Sequence, residues 1–549
     1  MVVREPKVWR AARPHVARVA HSVKPGIVRV TRAVRPGAAR VARVVKPGVE
    51  RVTSAVTARS SQLAGSTKKL TTLQFTAGAA TLGLVLSAGA VTAAGPWDSS
   101  GQRTAERDRA ASGARQGGAD HGRGSGRSSG TAGAPKPAPS APAVLAGVDG
   151  ASGANSLPEA GALAAALDPF LKSPVLGPRR AAAVVDVRTG EQLYAQNADD
   201  ALTPASTTKI ATAVAALSAV GPDHRIETRV VLAPDSAEAV LVGGGDPTLT
   251  AHKDTGGYAS LRALADETAA ALEKRHLKKI TLTYDTSLYE GPEQHTIGPN
   301  GNLALVVPLM ADEARLNDSS SGSADRDPDP AAAATATFAD LLEERGVTTR
   351  TEGSARAPKD AAELAAVSSP PLSTLVERML THSDNDIAEA LARQVALATD
   401  GKPSFDGGAA AIKSELKKLE LPLARVAFAD GSGLSRGNRL TPDLLTALLA
   451  RSADPAHPEL RAVLTGLPVA GFTGTLRSRY PGDATGTGVV RAKTGTLSNV
   501  NTLAGTVVDA DGRLLAFAFL ATETDMADTD LAKKALTDAT STLATCGCP

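Results

Sequence analysis

Apolar runs and turn residues predict two strand pairs in the second part of this 549-residue chain. One hairpin is predicted over residues 181–194, where an apolar run meets an Arg-Thr-Gly turn and a returning run. A second is predicted over residues 501–520, around an Asp-Ala-Asp-Gly turn, and a helix follows over residues 529–543. Since strand pairs stand at both ends with helical patterns between them, we expect an α+β fold in which helices flank an antiparallel sheet.

The uncharged stretch Leu73–Gly95 is long enough to cross a bilayer and predicts a transmembrane signal anchor over residues 71–96. Lysines precede it and Trp97 follows it, so we expect a single-pass protein of the cell membrane whose bulk lies outside the cytoplasm. The alternative is a signal peptide cleaved near Ala88-Gly89-Ala90, followed by secretion. Residues 97–155 are rich in Gly, Ser, Ala and Pro, which predicts a flexible linker.

Charge separates residues 1–70 from the remainder of the chain. They carry sixteen Lys and Arg against two Glu, about +14, although the whole chain has a formal net charge of +3. A proline recurs every eleven residues, at Pro14, Pro25, Pro36 and Pro47, which prevents one continuous helix. We expect a largely disordered cytoplasmic arm that either contacts anionic lipid or is simply solvated. Nucleic acid is not an expected partner, because no aromatic residues are interleaved with the charges.

Ser206 and Lys209 form the first candidate catalytic pair. They stand three residues apart before an apolar run, so a helix would place both side chains on one face. A serine hydroxyl needs a neighbour that takes its proton, and a lysine does so only when burial or a second cation lowers its pKa. A capped helix with a solvated lysine has the same spacing, so this tetrad alone does not establish a catalytic site.

Two further short patterns follow in order. Ser383 and Asn385 offer a hydroxyl and an amide two residues apart, and Ser383 is expected to be an N-cap or turn residue before a helix. The run 493–496 precedes the second hairpin. There a strand would turn Lys493 to one face, and Gly495 would let a substrate backbone come close. Each pattern alone also fits ordinary capping or a strand-end turn.

The ordered set Ser-x-x-Lys, Ser-x-Asn and Lys-Thr-Gly is that of the penicillin-interacting serine enzymes. With the blocks at 241–249 and 430–435, the chain resembles the D-alanyl-D-alanine carboxypeptidase/endopeptidase family, the low-molecular-mass class C penicillin-binding proteins of the penicillin-binding protein 4 type. The resemblance implies a serine β-lactamase/transpeptidase-like fold. It implies a catalytic domain of residues 156–225 and 361–545, interrupted by an accessory domain of residues 226–360.

The resemblance also implies roles for the matching residues. Ser206 would attack the penultimate D-alanine carbonyl of a peptidoglycan stem peptide, and Lys209, kept neutral by burial and by the Lys493 cation, would accept its proton. Ser383 would relay a proton to the leaving D-alanine, and Asn385 would hold the peptide amide. The terminal carboxylate requires fixed positive charge and hydrogen-bond donors, which would come from Lys493, Thr494, Gly495 and Thr496. Backbone N–H groups of Ser206 and Thr496 would form the oxyanion hole.

Arg436 would meet an acidic group of the stem peptide, with a structural role as the alternative. No cofactor and no metal are expected, because Cys546 and Cys548 are too few for a zinc site and stand in a tail that we expect to be exposed. β-Lactams are the expected inhibitors. Two other functions stay open, a β-lactamase and a catalytically idle membrane-anchored wall-binding protein, and the residues do not separate carboxypeptidase from endopeptidase activity.

Overall fold

The computed structural model describes residues 160–480 and 484–546, so the predicted arm, anchor and linker lie outside the described residues. Within those ranges no helix combines the length and the apolar character needed to cross a membrane. The described helices are α1 (Ala160–Leu171), α2 (Thr208–Ala219), α3 (Leu261–Lys274), α4 (Pro330–Glu343), α5 (Leu372–His382), α6 (Asn385–Ala398), α7 (Phe405–Lys418), α8 (Pro442–Ala453), α9 (Arg461–Gly466) and α10 (Thr529–Thr545).

The described strands form two five-stranded sheets. They are β1 (Arg179–Asp186), β2 (Gln192–Gln196), β3 (Glu227–Leu232), β4 (Glu238–Val242), β5 (Lys279–Asp285), β6 (Thr348–Ser354), β7 (Ala362–Ser368), β8 (Val490–Leu497), β9 (Val500–Val508) and β10 (Leu514–Thr522). The first sheet has the order β2-β1-β10-β9-β8 and the second the order β6-β5-β4-β3-β7. Both predicted hairpins are therefore formed, and they belong to the same sheet.

The first sheet is antiparallel throughout and is covered by helices on both faces. Alternate residues of β10 enter two different apolar clusters, as the two-residue period of a strand requires. Phe517 and Phe519 pack with α1 and α10, whereas Ala516 and Ala518 pack with α2, α5, α6 and α8. Burial on both faces explains the nearly continuous apolar run of this strand. The expected α+β fold with an antiparallel sheet and flanking helices is confirmed.

The second sheet is mixed, because β4, β5 and β6 run parallel while β3 pairs antiparallel with β4 and β7. Each parallel connection needs a crossover, and α3 and α4 supply the helices of the two crossovers. These helices pack against the sheet in a separate apolar cluster. The last strand, β7, lies after residue 360. A long irregular segment between β5 and α4 leaves this sheet and runs toward the first one.

The C-terminal tail differs from the expectation in one respect. Cys546, which directly follows α10, is only 8% exposed and packs in the apolar cluster that includes α1. The expectation of an exposed tail without a structural role is therefore wrong for this residue. The reason is that α10 covers the sheet to its last turn, so the side chain that ends the helix is covered as well.

Candidate active site

Ser206 lies in a tight turn that precedes α2, not in the regular helix itself. The residues Ala205–Thr207 form a single 3₁₀ turn, and the α-helix begins at Thr208. Ala205 has a positive φ of 49°, a region that is strained for a residue with a side chain. The hydroxyls of Thr207 and Thr208 donate to Pro204 O (2.7 Å) and Ala205 O (2.9 Å), which hold the turn in place. The turn presents the Ser206 hydroxyl at the helix N-terminus.

Lys209 is fully buried beneath this turn and makes three hydrogen bonds from one nitrogen. Its Nζ lies 3.1 Å from Ser206 Oγ, 2.7 Å from Asn385 Oδ1 and 2.7 Å from the carbonyl of Ser432. Burial lowers the pKa of Lys209 to about 8, although the carboxylates of Asp430 and Glu389 act in the opposite direction. The side chains of Ser206 and Lys209 are thus close in space, and burial brings the pKa of the amine down toward neutral pH.

Ser383 and Asn385 lie at the junction between α5 and α6. Asp384 takes the N-cap position of α6, where its side chain accepts from Ile387 N at 3.1 Å. Ser383 is therefore the turn residue that ends α5 and not the N-cap of α6, and its backbone is left-handed at φ 60°. Because it does not cap the helix, its hydroxyl is available to the cleft. The amide of Asn385 accepts from Lys209 and donates through Nδ2 to the carbonyl of Asn302 (2.7 Å), which comes from the segment between β5 and α4.

Lys493 stands on the edge strand β8 and is fully buried. Its Nζ donates to Ser383 Oγ at 2.9 Å and to the Thr494 carbonyl at 2.8 Å. Burial lowers the pKa of Lys493 well below its usual value, and the charge of Lys209 acts in the same direction. Two buried ammonium groups disfavour each other, so without a bound anion the charge of Lys209 opposes a charge on Lys493.

Gly495 packs against the turn before Ser206. A Cβ at this residue would lie 2.1 Å from Thr502 Oγ1 and 2.7 Å from Pro204 O, so any side chain would collide with the turn before Ser206. Thr502 also donates its hydroxyl to Pro204 O at 2.8 Å. The glycine therefore lets β8 pack directly on the nucleophile turn. That contact brings the backbone of the Lys-Thr-Gly strand to the side of Ser206.

Residues of the first two motifs, together with Thr496 directly after the Lys-Thr-Gly run, line one cavity of about 280 Å³. Its lining is shared between the elements of the first sheet and the irregular segment after β5, and consists of Ser206, Asn302, Arg315, Gly322, Ser323, Arg326, His382, Ser383, Asp384, Asn385, Asp386, Leu434, Thr496 and Leu497. Lys493 does not line the cavity itself, but its Nζ contacts Ser383, which does. The hydroxyl of Thr494 donates to Thr475 Oγ1 at 2.9 Å. Arg436 is on the outer side, where its guanidinium donates to the Ser498 carbonyl at 2.8 Å.

Two buried charge networks support the cavity, and the sequence analysis assigned no role to either. Glu389 accepts the backbone N–H groups of Gly431 (3.1 Å) and Ser432 (2.9 Å), which places the Ser432 carbonyl against Lys209. In the Asp-Gly-Ser-Gly block, glycines at two of the three positions after the acid are a sequence signal for such a loop, since glycines allow tight turns.

The second network lies behind Ser383 and joins α5 and α6 to the segment between β5 and α4. Glu313 pairs with Arg378 at 2.6 Å, and Arg326 pairs with Asp386 at 2.9 Å. Burial beside Glu313 raises the pKa of Asp384 well above its usual value. Glu313 and Arg326 belong to the segment between β5 and α4, so this segment holds the Ser-Asp-Asn run from outside the first sheet. Nothing in the local pattern of residues 302–326 indicated this contact.

Comparisons with known proteins give a consistent result. Residues 163–298 and 319–543 match the D-Ala-D-Ala carboxypeptidase 3 (S13) family. The chain is 35% identical over 406 residues to carboxypeptidase Rv3627c of Mycobacterium tuberculosis, covering 71% of this chain and 86% of that protein. It is 33% identical over 400 residues to carboxypeptidase DacB of Mycolicibacterium smegmatis, covering 70% and 84%. In fold it is similar to penicillin binding protein 4 (dacB) from Haemophilus influenzae, with a TM-score of 0.55, 22% identity and coverage of 69% of this chain and 98% of that one.

Proposed function

Because the chain belongs to the D-Ala-D-Ala carboxypeptidase 3 (S13) family, we propose that its cleft cleaves the D-alanyl-D-alanine end of peptidoglycan stem peptides through an acyl-enzyme on Ser206. The protein is a serine-type D-Ala-D-Ala carboxypeptidase, and the resemblance drawn from its motifs is confirmed. The observation that carries the residue assignment is the setting of Ser206, on a strained turn at a helix N-terminus with Lys209 Nζ 3.1 Å from its Oγ inside a buried hydrogen-bond network.

Proton transfer from Ser206 to Lys209 follows from the number of bonds at the amine. A neutral amine has two N–H groups and one lone pair. If the two N–H groups donate to Asn385 Oδ1 and the Ser432 carbonyl, the lone pair faces Ser206 Oγ. With a pKa of about 8 for Lys209, about a tenth of the enzyme would carry this neutral form at pH 7. The network thus orients the base and leaves it partly deprotonated.

Binding of the substrate carboxylate would favour protonation of Lys493 over protonation of Lys209. Lys209 and Lys493 are both buried, and the charge of Lys209 lowers the pKa of Lys493. An anion beside Lys493 would raise that pKa, and a charged Lys493 would in turn favour the neutral amine at Lys209. The terminal carboxylate that identifies the substrate would therefore also activate the base. Thr494 and Thr496 would supply the remaining donors, and Gly495 would keep their strand against the turn.

The later steps use groups around the same cavity. Backbone N–H groups of Ser206 and Thr496 would hold the oxyanion, each worth about 2.7–4 kcal/mol. Ser383, which accepts a hydrogen bond from Lys493, would pass a proton to the nitrogen of the leaving D-alanine. Asn385 would hold the peptide amide. Water would then hydrolyse the ester of Ser206 and release the shortened peptide.

Covalent labelling tests the nucleophile. Labelled penicillin should add one mass to the peptide that contains Ser206, and the Ser206→Ala protein should carry no label. Ser498→Ala, an exposed serine near the cleft, is the matched control and should label normally. Labelling that survived in Ser206→Ala would end the assignment.

Substrate release separates the remaining activities. D-Alanine release from a pentapeptide reports carboxypeptidase activity, and cleavage of a cross-linked dimer peptide reports endopeptidase activity, so the two assays are run side by side. Rapid turnover of penicillin would favour a β-lactamase, whereas a long-lived adduct favours a penicillin-inhibited peptidase. Absence of all three activities would favour the idle wall-binding protein.

We propose the membrane arrangement from the sequence pattern alone. Residues 71–96 would anchor the chain, residues 1–70 would lie along anionic lipid in the cytoplasm, and residues 97–155 would tether the enzyme outside. The accessory domain would comprise residues 226–360 together with β7, which pairs with β3 of its sheet. Mass spectrometry of the N-terminus of the cell-derived protein distinguishes an uncleaved anchor from cleavage near Ala88-Gly89-Ala90, because only the anchor retains Met1 or Val2.

A further inference from the structure

His295 is a buried histidine that the mechanism above does not use. It lies in the segment between β5 and α4, is 2% exposed, and places Nε2 at 3.0 Å from Asp430 Oδ2. The backbone N–H of Ile297 donates to His295 Nδ1 at 3.2 Å, so the lone pair of Nδ1 is already engaged. The hydrogen of the ring must then be on Nε2. His295 is therefore held as a neutral donor to the carboxylate of Asp430.

Asp430 organises the loop that touches the catalytic lysine. Its two carboxylate oxygens accept from Gly433 N (2.7 Å), Ser435 N (2.5 Å) and Asn438 Nδ2 (2.7 Å), in addition to His295. Between these anchor points lies Ser432, whose carbonyl accepts from Lys209 Nζ at 2.7 Å. His295 is thus linked to Lys209 by its hydrogen bond to Asp430, by the backbone from Asp430 to Ser432, and by the hydrogen bond from Lys209 to the Ser432 carbonyl.

Charged and aromatic side chains surround the buried imidazole of His295. Asp430 and Glu389 face it, Glu389 is paired with Arg393 at 3.4 Å, and the ring of Phe405 on α7 meets the imidazole edge-on at 5.1 Å. Both carboxylates already accept backbone N–H groups, and Nδ1 of His295 accepts one as well. Each group has a hydrogen-bond partner, so we interpret the cluster as a hydrogen-bonded network that acts on its neighbours.

We propose that His295 is a positioning residue for acylation: from outside the catalytic elements, its N–H holds the Asp430 carboxylate and the 430–435 loop in register, and so places the Ser432 carbonyl that orients Lys209 toward Ser206. The proposal rests on the proposed roles of Ser206 and Lys209. It gives the irregular segment after β5 a function in the reaction, because the donor that orders the lysine-binding loop comes from that segment.

The electrostatics of the site agree with this geometry. Burial acts to raise the pKa of Asp430, but the hydrogen bonds from His295 and from backbone N–H groups outweigh it and leave the pKa below its usual value. Asp430 is in turn the leading carboxylate that opposes the loss of charge on Lys209. Removing the His295 donor would loosen the 430–435 loop and move the Ser432 carbonyl away from Lys209 Nζ. An ammonium that loses a hydrogen-bond acceptor is destabilised relative to the neutral amine, so the pKa of Lys209 would fall further while the amine loses its orientation toward Ser206.

The test measures the rate of penicillin acylation against pH for three variants of the full-length protein. His295→Phe keeps a ring beside Phe405 but has no donor, and His295→Asn has an amide too short to reach Asp430. Both should acylate about 10-fold more slowly at the optimum, since a hydrogen bond to a charged group is lost, and their acid limb should move to lower pH. His295→Gln places an amide N–H where Nε2 stands and should keep the wild-type limb and a rate within about threefold of wild type.

The outcomes are distinguishable. If wild-type protein forms no adduct on Ser206, the proposed function fails and not the role of His295. If the adduct forms but the Phe and Asn variants, shown to be folded by their thermal unfolding, keep the wild-type limb, the positioning role is overturned. A loss of rate shared equally by all three variants, with no shift of the limb, also overturns it, because that pattern indicates only a structural role. If His295→Phe does not fold, His295→Asn decides alone.

Discussion

Two serine–lysine pairs contribute to the cleft, and in each the lysine is buried and the serine half-buried. Lys209 Nζ lies 3.1 Å from Ser206 Oγ, and Lys493 Nζ lies 2.9 Å from Ser383 Oγ. The two distances are nearly equal and both lysines are fully buried. The distance between hydroxyl and amine therefore does not identify the nucleophile, and the surroundings of each pair must do so.

Those surroundings differ in charge and in backbone. The pKa of Lys209 is lowered by burial but supported by carboxylates, first among them Asp430 and Glu389, whereas for Lys493 the charge that acts beside burial is that of Lys209. Ser206 stands on a strained turn at a helix N-terminus, against the backbone of β8. Ser383 stands at a helix junction without that neighbour. On this difference rests our proposal that the pair of Ser206 and Lys209 performs the attack, while the pair of Ser383 and Lys493 senses the substrate anion and handles the proton.

The largest expected effect separates the two hydroxyls. Ser206→Ala should reduce D-alanine release from a pentapeptide by about 10⁴-fold or more, because no ester can form. Ser383→Ala should cost about 10²-fold, which is typical of losing one proton-transfer group. Steady-state kcat for both proteins is the measurement, with Ser498→Ala as the control. Equal losses at the two serines would contradict the division of roles.

The next effect separates the two lysines. Lys209→Arg should slow acylation by about 10²–10⁴-fold, because a guanidinium cannot give up its proton to act as a base. Lys493→Arg retains a cation for the substrate carboxylate and should cost about 10-fold, mainly in KM. Thermal unfolding must first show that both variants are folded, since both positions are buried. A larger loss at Lys493 than at Lys209 would reverse the comparison.

The pH dependence of acylation sharpens the comparison further. The neutral form of Lys209 is the active one, and its fraction grows as pH rises through its pKa of about 8, so the penicillin acylation rate should fall below that pH. A penicillin whose carboxylate is esterified cannot draw the proton to Lys493. Its acid limb should therefore lie about one pH unit higher than that of the free acid. Coincident limbs would show that the two lysines do not share a proton.

The smallest effect concerns Arg436. Its guanidinium is exposed and donates to the Ser498 carbonyl, and an exposed charge contributes only about 0.2–1 kcal/mol. Arg436→Ala should raise KM for a stem peptide with an acidic group by up to about fivefold, with kcat and the pH limb unchanged. Arg425→Ala, a distant exposed arginine paired with Asp199, is the matched control. A change in kcat would show that Arg436 acts on the reacting atoms.

The local elements and the family were predictable, whereas several contacts were not. Hairpins and helices follow from short-range periodicity, and the three motifs keep their order in any member of the family. The contact of Gly495 with the turn before Ser206 and the burial of Cys546 depend on residues distant in the chain, so local patterns did not predict them. His295 and the Ser432 carbonyl were missed for the same reason: an isolated histidine and a backbone oxygen have no sequence signature.

Residue order alone establishes the chemistry available to this protein: two serine hydroxyls, two amines and an amide in the spacings of a serine peptidase, on elements whose periodicity specifies their type. Tertiary packing alone decides how far the pKa of each amine is lowered and which groups orient it. The protonation of a buried lysine depends on desolvation and on charges within a few ångströms, and those neighbours are separated from it by as many as 223 residues, as with Ser432. Such distances in sequence become contacts only when both sheets and the segment between them have folded.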